Sequence, residues 1–460
     1  MEGSLQLGEG FSYDSKSIEI PSKVEVIEEF DPSIPVILPH DKVFSIQVGY
    51  KLFRLSGLSL SSDAPSYFTK FFTQMQNTEK VLFIDRNPMI FEKIYNHLQG
   101  YSLNVDSDYE FVHLWSDSYY FGLKRLQRFL TDQDIFATIG DQSFKIAKSL
   151  FVNSGNFPNY FTLNYETLLT DNIKIIEEKN MLRPPPQKPA TVSNRSPLLF
   201  ADLLELLRGN NLIIKNDEHR ALLIRECKYY RFLELEQRIL KHRIINNPFM
   251  DNKQEIIMNL NDLQRKGILN TSPPDKSIEV PIQYTRPYIL KEPPRNLIFQ
   301  LDSNCDILNK NYSEVKLLLN KALKMATVQI TNKLGQKMLQ VFKDYKDDFM
   351  MSNDKQSPSL TFIAGFSDCK ATINGMQMKN GWIFDLMGGN MSNEEIEELS
   401  PAAKKRKFST NEVKGDLIEI KLKRSLWRMV MRGDRSRLHA VSIEGESDHS
   451  SFIKENIEFL

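Results

Sequence analysis

Between residues 43 and 245 the apolar positions run through the same series of periods twice. Residues 86–105, RNPMIFEKIYNHLQGYSLNV, align without a gap on residues 195–214, RSPLLFADLLELLRGNNLII. Arg86, Pro88, Phe91, Leu98, Gly100 and Leu103 meet Arg195, Pro197, Phe200, Leu207, Gly209 and Leu212. In each stretch a residue able to accept hydrogen bonds from free helix N–H groups, Asn87 or Ser196, stands as N-cap. A proline follows at the first helical position, where a missing N–H costs nothing. Phe91, Ile94, Tyr95 and Leu98 then make one apolar face, as do Phe200, Leu203, Leu204 and Leu207, and a glycine closes each helix.

The likeness extends in both directions. Upstream, VFSIQVGYKLFRLS places Phe44, Ile46 and Val48 before Gly49, with Phe53 and Leu55 after it. IFATIGDQSFKIA does the same with Ala137, Ile139, Gly140, Phe144 and Ile146. Period-two apolar positions around a glycine turn predict a β-hairpin. PSYFTKFF at Pro65–Phe72 is echoed by PNYFTLNY at Pro158–Tyr165. Downstream, a Tyr-led helix with Tyr120, Leu123 and Leu126 is matched by Tyr229, Phe232 and Leu235. Each copy thus predicts hairpin, helix, strand, helix, short strand, helix, which is an α/β or α+β unit, and α+β is the class expected for the whole chain. The second copy is longer between Thr162 and Arg195. The excess includes RPPPQKPATVSN and predicts an exposed Pro-rich loop at 171–195, read as a spacer, with a PxxP-type ligand as the alternative.

Asp85–Val105, DRNPMIFEKIYNHLQGYSLNV, resembles the core signature of the potassium-channel tetramerisation branch of BTB/POZ domains, and SDSYYFGLKRL at Ser116–Leu126 resembles that family's Tyr-containing helix. The second copy departs by carrying Asn194 in place of Asp. The resemblance extends to yeast proteins with two such copies and a long C-terminal region. It implies modules that self-associate or bind protein partners and carry no catalytic machinery. Some channel members hold zinc between subunits through a His and clustered Cys; this chain has no such cluster. BTB adaptors of cullin-type ubiquitin ligases often use an apolar residue, any residue, then Glu after the PSYF-like helix. Here Glu79 follows Asn77 and Thr78, and Glu166 follows Leu163, Asn164 and Tyr165, so cullin recruitment is a weaker alternative.

The expected organisation is a flexible segment at 1–40, BTB/POZ units at 41–132 and 133–246, and a β-rich α+β domain at 250–460. In that last domain the patterning predicts helices at 254–267 and 313–325 and strands at 277–284, 296–301, 361–366, 381–387 and 417–431. Two hydrophilic runs, 345–358 and 388–415, are expected as mobile insertions.

Composition narrows the chemistry. Lys plus Arg equals Asp plus Glu, 59 against 59, so no global charge draws the chain to nucleic acid or membrane. Cys227, Cys305 and Cys369 form no CxxC, and the seven histidines have no metal-ligand spacing, so neither a disulfide framework nor a metal site is expected. No Walker, Rossmann, nucleophile-elbow or HExxH motif occurs, so no enzyme and no cofactor is expected. The N-terminus lacks a signal-peptide pattern and no run of apolar residues reaches membrane-spanning length, giving an expectation of nucleus and cytoplasm. Lys404, Lys405, Arg406 and Lys407 form the candidate nuclear-import signal, read against a plain solvated charge run. The basic stretch Lys421–His439, which includes Trp427, is read as an edge strand, with a nucleic-acid-binding regulator as the alternative. The leading expectation is an adaptor or scaffold acting through homo-oligomers, internal BTB–BTB pairing or other protein partners.

Overall fold

β1 (Val43–Val48) and β2 (Lys51–Ser56) form the first hairpin, and β3 (Leu82–Ile84) lies parallel to β1 on its other side. The alternation seen in the sequence sends Phe44, Ile46 and Val48 to the buried face. Gly49 turns the chain at φ 53°, and its N–H donates to the Ile84 carbonyl at 3.0 Å. A Cβ at Gly49 would stand 3.3 Å from the Arg86 carbonyl, so closeness as well as φ favours glycine there. Helices α1 (Gly57–Ser61), α2 (Tyr67–Phe72), α3 (Pro88–Leu98), α4 (Asp108–Phe121) and α5 (Lys124–Thr131) follow. Asn87 Oδ1 accepts from the Met89 N–H at 2.9 Å, with Pro88 at the first helical position. Phe68, Phe91 and Phe121 meet in an aromatic core, with 4.8 Å between the Phe68 and Phe121 centroids.

The structure, a computed structural model, describes residues 32–179, 188–247, 254–269, 279–303, 313–348, 350–351, 359–387, 417–433 and 435–452. It forms two compact units. One takes in the chain up to Asn153, Phe157–Ile213 and Tyr229–Arg231; the other takes in Ser154–Asn156, Ile214–Lys228 and the chain from Phe232 onward.

The same order of elements recurs after α5. β4 (Ile135–Ile139) and β5 (Gln142–Ile146) form a hairpin, α6 (Tyr160–Lys179) follows, and β6 (Ala190–Val192) lies parallel to β4. Then come α7 (Pro197–Leu207), α8 (Asp217–Tyr230) and α9 (Leu233–Ile239). The strand orders are β2-β1-β3 and β5-β4-β6. Gly140, at φ 60°, donates to the Val192 carbonyl at 2.8 Å, as Gly49 does to Ile84. Phe161, Phe200 and Tyr230 stand where the first repeat has Phe68, Phe91 and Phe121. The Arg86 guanidinium lies 4.3 Å from the Tyr120 ring centroid and that of Arg195 4.0 Å from Tyr229.

Several expectations for this half change. The single Tyr-led helix is two helices: Tyr120 ends α4, Gly122 turns at φ 66°, and Leu123 leads into α5. Arg231 makes the equivalent turn at φ 62°. The short strand after Gly100 is absent, and its counterpart Asn211–Ile213 is one 3-10 turn, because no neighbouring strand offers a ladder there. The loop expected from 171 is helical to Lys179, since α6 continues well past the PNYF segment; residues 180–187 of the Pro-rich stretch lie outside the described residues. The segment expected to be flexible up to residue 40 is packed from Leu38, which is buried and donates to Ser61 Oγ at 3.3 Å.

The β-rich domain begins at β7 (His242–Asn246), earlier than residue 250, because β7 pairs with β8 (Gln254–Asn259). β9 (Ile268–Leu269), β10 (Glu279–Pro281), β11 (Gln283–Tyr284) and β12 (Arg295–Asp302) precede the hairpin β13 (Val315–Asn320) and β14 (Met325–Thr331). Then come α10 (Asn332–Val341), β15 (Met350–Met351), β16 (Ser359–Gly365), β17 (Lys370–Ile373), β18 (Met376–Gln377), α11 (Trp382–Leu386), β19 (Leu417–Arg432) and β20 (Arg435–Glu446). β13, β14, β16, β20 and β19 pair in succession and β19 pairs back onto β13, so their hydrogen bonding closes on itself. β-bulges near Lys423 and at Leu426/Trp427 accompany a change of phase along β19. Ile418, Ile420 and Leu422 are buried before it, Ser425, Trp427 and Met429 after it. Trp427 is fully buried, edge-on to Phe362, and its Nε1 donates to Ser425 Oγ at 2.8 Å.

Here too the structure differs from the sequence expectations. Residues 254–267 are β8 followed by 3-10 turns, 313–325 open the β13–β14 hairpin, and 382–386 are helical. The reason is common to all three: a short apolar run fits both periods, and partners distant in sequence decide. Residues 343–348 form a 3-10 helix and β15 pairs with β16, so the start of the expected 345–358 insertion is structured. Residues 352–358 and 388–416 lie outside the described residues. The expected edge strand at 421–439 is interior: β19 has β13, β12 and β10 on one side and β20 on the other.

Candidate interaction surfaces

The link from α5 to β4 is only Asp132–Asp134, so the two hairpin–helix repeats meet directly. Phe111 of α4 packs on Phe136 of β4 and on Tyr165 of α6, with centroids 5.7 and 5.6 Å apart. Three polar contacts lock the aromatic cluster. Tyr165 Oη donates to the Leu130 carbonyl at 3.0 Å, Lys145 Nζ donates to the Val105 carbonyl at 2.8 Å, and Lys148 Nζ donates to the Thr131 carbonyl. Burial pushes the Tyr165 phenol far up, so it stays a donor. The contact is head to tail: the α4–α5 edge of the first repeat receives the outer sheet face of the second.

The α5 end of this surface is held by Asp63. Leu123, the N-cap of α5, makes no side-chain capping bond. The Asp63 carboxylate does that work from a distance, accepting from the Arg125 N–H at 2.8 Å, the Leu126 N–H at 3.0 Å and His97 Nε2 at 3.0 Å. Burial raises its pKa, but His97 and the two amides outweigh that, and its carboxyl lies below the ordinary value. In the second repeat Asn156 takes this place, accepting from the Leu235 N–H at 3.2 Å and donating to Glu234 Oε2 at 2.7 Å.

The first sheet carries apolar residues on its outer face. On the first sheet, the outer row is Leu52, Gln47 and Phe83, in register across β2, β1 and β3. Leu52 is 49 % exposed, Phe83 61 % and neighbouring Val81 53 %. The matching row of the second sheet is Ser143, Thr138 and Thr191, all polar. At the other end, Phe111 aligns with Arg220 of α8, and Arg220 Nη1 donates to the Ile239 carbonyl at 2.9 Å. Ile239 aligns with Leu130, so the acceptor that serves Tyr165 in the first repeat is filled by the second repeat's own arginine.

The sequence reading missed all of these residues, although the signal was there. Leu52, Phe83 and Phe136 are apolar residues standing in the outward phase of strands whose inward phase is already apolar. The candidate import residues Lys404, Lys405, Arg406 and Lys407 lie outside the described residues. The basic run on β19 and β20 is interleaved with acids: Lys423 with Glu446, Arg424 with Glu444, Arg428 with Glu255 at 2.8 Å, and Arg437 with Glu279 at 3.8 Å. Glu79 pairs with Lys42 on the surface. Among the described residues no group of His, Cys, Asp and Glu is placed to hold a metal, and no helix is long and apolar enough to cross a membrane. Cys227 and Cys369 are buried, and burial pushes the Cys369 thiol up to about 12.

The three-stranded sheet with its helices in the first repeat is that of a BTB/POZ domain, and that family matches residues 44–129. The family described as the YLR108C C-terminal domain matches residues 253–456, the β-rich domain. Two proteins of Saccharomyces cerevisiae (strain ATCC 204508 / S288c) are similar over nearly the whole chain. The BTB/POZ domain-containing protein YLR108C is 32 % identical, covering 93 % of this chain and 96 % of its own length. The uncharacterized protein YDR132C is 33 % identical, covering 90 % and 94 %. The chain belongs to this family of BTB/POZ proteins, whose domain is a module of protein–protein interaction or oligomerisation.

Proposed function

We propose that the second hairpin–helix repeat is a second BTB/POZ fold, and that the chain is an adaptor or scaffold working by protein contact rather than catalysis. The observation that carries this is the internal pairing through Phe111, Phe136 and Tyr165, in which one repeat already serves the other as a docking partner. The matched strand orders, glycine turns and Arg–Tyr stacks support the second assignment. The β-rich domain then acts as a further recognition module. The acids interleaved with the basic run on β19 and β20 favour a structural use of those charges over nucleic-acid binding. Residues Lys404–Lys407 direct part of the population to the nucleus; changing all four to Ala tests this, and an unaltered cellular distribution refutes it.

The association reading is tested by lysine crosslinking of the full chain in extract of its source cells, followed by mass spectrometry. Crosslinks from Lys42 or Lys51 to a second copy or another protein are expected. Only intrachain crosslinks overturn it. Crosslinking to a cullin at one-to-one stoichiometry with purified components would favour the ligase-adaptor role.

A further inference from the structure

We propose that the β-rich domain is a detachable cover for the α8–α9 edge of the second repeat, held there by a joint of four charges, Lys228, Glu236, Asp262 and Lys337. The proposal rests on the association reading, because this edge is the counterpart of the one that docks a partner in the first repeat.

Most of α8, all of α9 and the β-rich domain belong to one compact unit. Arg220, Ile224 and Lys228 recur every fourth residue along α8 and so share one face. They stand where α4 has Phe111, Trp115 and Tyr119. Each of the three is engaged. Arg220 Nη1 donates to the Ile239 carbonyl at 2.9 Å. Ile224 packs against the hydrophobic core of the β-rich domain, in which Leu240, just past the end of α9, is also buried. Lys228 Nζ lies 3.8 Å from Glu236 Oε1 on α9. Acting on this pair are Asp262, in the turn after β8, and Lys337 of α10, which packs on that turn. A second contact lies beside the first. The Tyr288 ring rests on Gly155, where a Cβ would stand 2.7 Å from it, and the Gly155 carbonyl accepts from the Leu233 N–H of α9 at 2.9 Å.

The two edges are held differently. That of the first repeat is closed by aromatic packing and by hydrogen bonds to backbone carbonyls. At that of the second, Lys228 and Lys337 offset Glu236 and Asp262, so the joint carries no net charge. Burial nonetheless outweighs the pairing. It pushes the carboxyls of Glu236 and Asp262 up against the pull of the lysines, and together with Lys228 it draws the Lys337 ammonium down. Charges placed in this way gain about as much from pairing as their desolvation costs. They therefore align the β-rich domain on the edge without locking it there. A protein partner gains the edge when the cover lifts.

Thiol labelling of the full chain carrying Ile224→Cys, read site by site with mass spectrometry, tests the proposal. The reagent reaches position 224 when the cover lifts. Cys227, fully buried and outside the core of the β-rich domain, reports unfolding of the second repeat itself. Lys228→Glu and Asp262→Lys each leave the joint with two surplus charges of one sign. Each is expected to speed labelling at 224 about tenfold while Cys227 stays protected. Made together, the two changes set two carboxylates on the helices against two ammonium groups on the β-rich domain. The combined variant is expected to label no faster than the Ile224→Cys chain. Labelling at 224 that ignores the single changes, a combined variant as fast as the singles, or Cys227 rising in step with position 224 overturns the proposal. Any of these results, with crosslinks to another protein preserved, would remove the cover and leave the association reading standing.

Discussion

Removing the Asp63 carboxylate should cost more stability than its single side chain suggests, because it caps a helix it does not belong to. In Asp63→Ala the Arg125 and Leu126 amides and His97 lose their acceptor together. Hydrogen bonds to a charged group contribute about 1.5–3 kcal/mol each, and an orphaned buried donor costs about 1–3 kcal/mol. The three are not additive, and breaking a buried charged network typically costs about 3–5 kcal/mol. Asp63→Asn keeps one amide acceptor, as Asn156 does for Leu235 in the second repeat, and should lose about half as much. Hydrogen exchange at Arg125 and Leu126, with urea unfolding followed by fluorescence of buried Trp115, reads both effects. The folded pKa of Asp63 is depressed, so its contribution is fully present above the unfolded value near about 4 and is lost as pH falls through the folded value. The wild-type stability curve should therefore drop below about pH 4 more steeply than that of Asp63→Asn. An Asp63→Ala loss under about 1 kcal/mol, or Asn and Ala variants of equal stability, would refute the capping argument.

Other expectations concern the pairing and the cores. Tyr165→Phe removes the bond to the Leu130 carbonyl and should cost about 1 kcal/mol, whereas Phe111→Ala should cost about 3–5 kcal/mol, with faster exchange in β4 and α6 as the readout. Gly49→Ala and Gly140→Ala place a Cβ at positive φ against the carbonyls of Arg86 and Arg195; each should lose about 1–3 kcal/mol by chemical denaturation, and unequal losses would tell against the equivalence of the two turns. Trp427→Ala should destabilise the closed strand ring by about 3–5 kcal/mol in calorimetry. Cys227 and Cys369 should resist iodoacetamide in the folded chain and react in urea, since burial raises both thiols.

The first half was legible because its signals are local. A cap, a proline and an apolar face within one short stretch specify α3 and α7, and a glycine between alternating residues specifies each hairpin. Gly122 and Arg231 were harder: nothing in a periodic reading says that the Tyr-led stretch breaks there, because the apolar positions on either side still fit one helix. The β-rich domain failed for the opposite reason. Val315, Leu317 and Leu319 are buried at period two, yet Val315, Leu318, Leu319 and Ala322 trace an equally good helical face. What selects the strand is pairing with β14 and with residues 417–422, about a hundred positions away. The interaction surfaces were hidden in the same way, since Phe136 acquires a role only once Phe111 is brought against it.

The differences between the repeats fall where association would demand them. Their inward positions are interchangeable: Phe91 with Phe200, Phe121 with Tyr230, Leu126 with Leu235. Their outward positions are not. Ser45 aligns with Phe136, Leu52 with Ser143, Phe83 with Thr191 and Phe111 with Arg220. Folding alone does not require this, because outward residues touch no core of their own repeat. Phe136 and Phe111 make the internal joint where the other repeat carries Ser45 and Arg220.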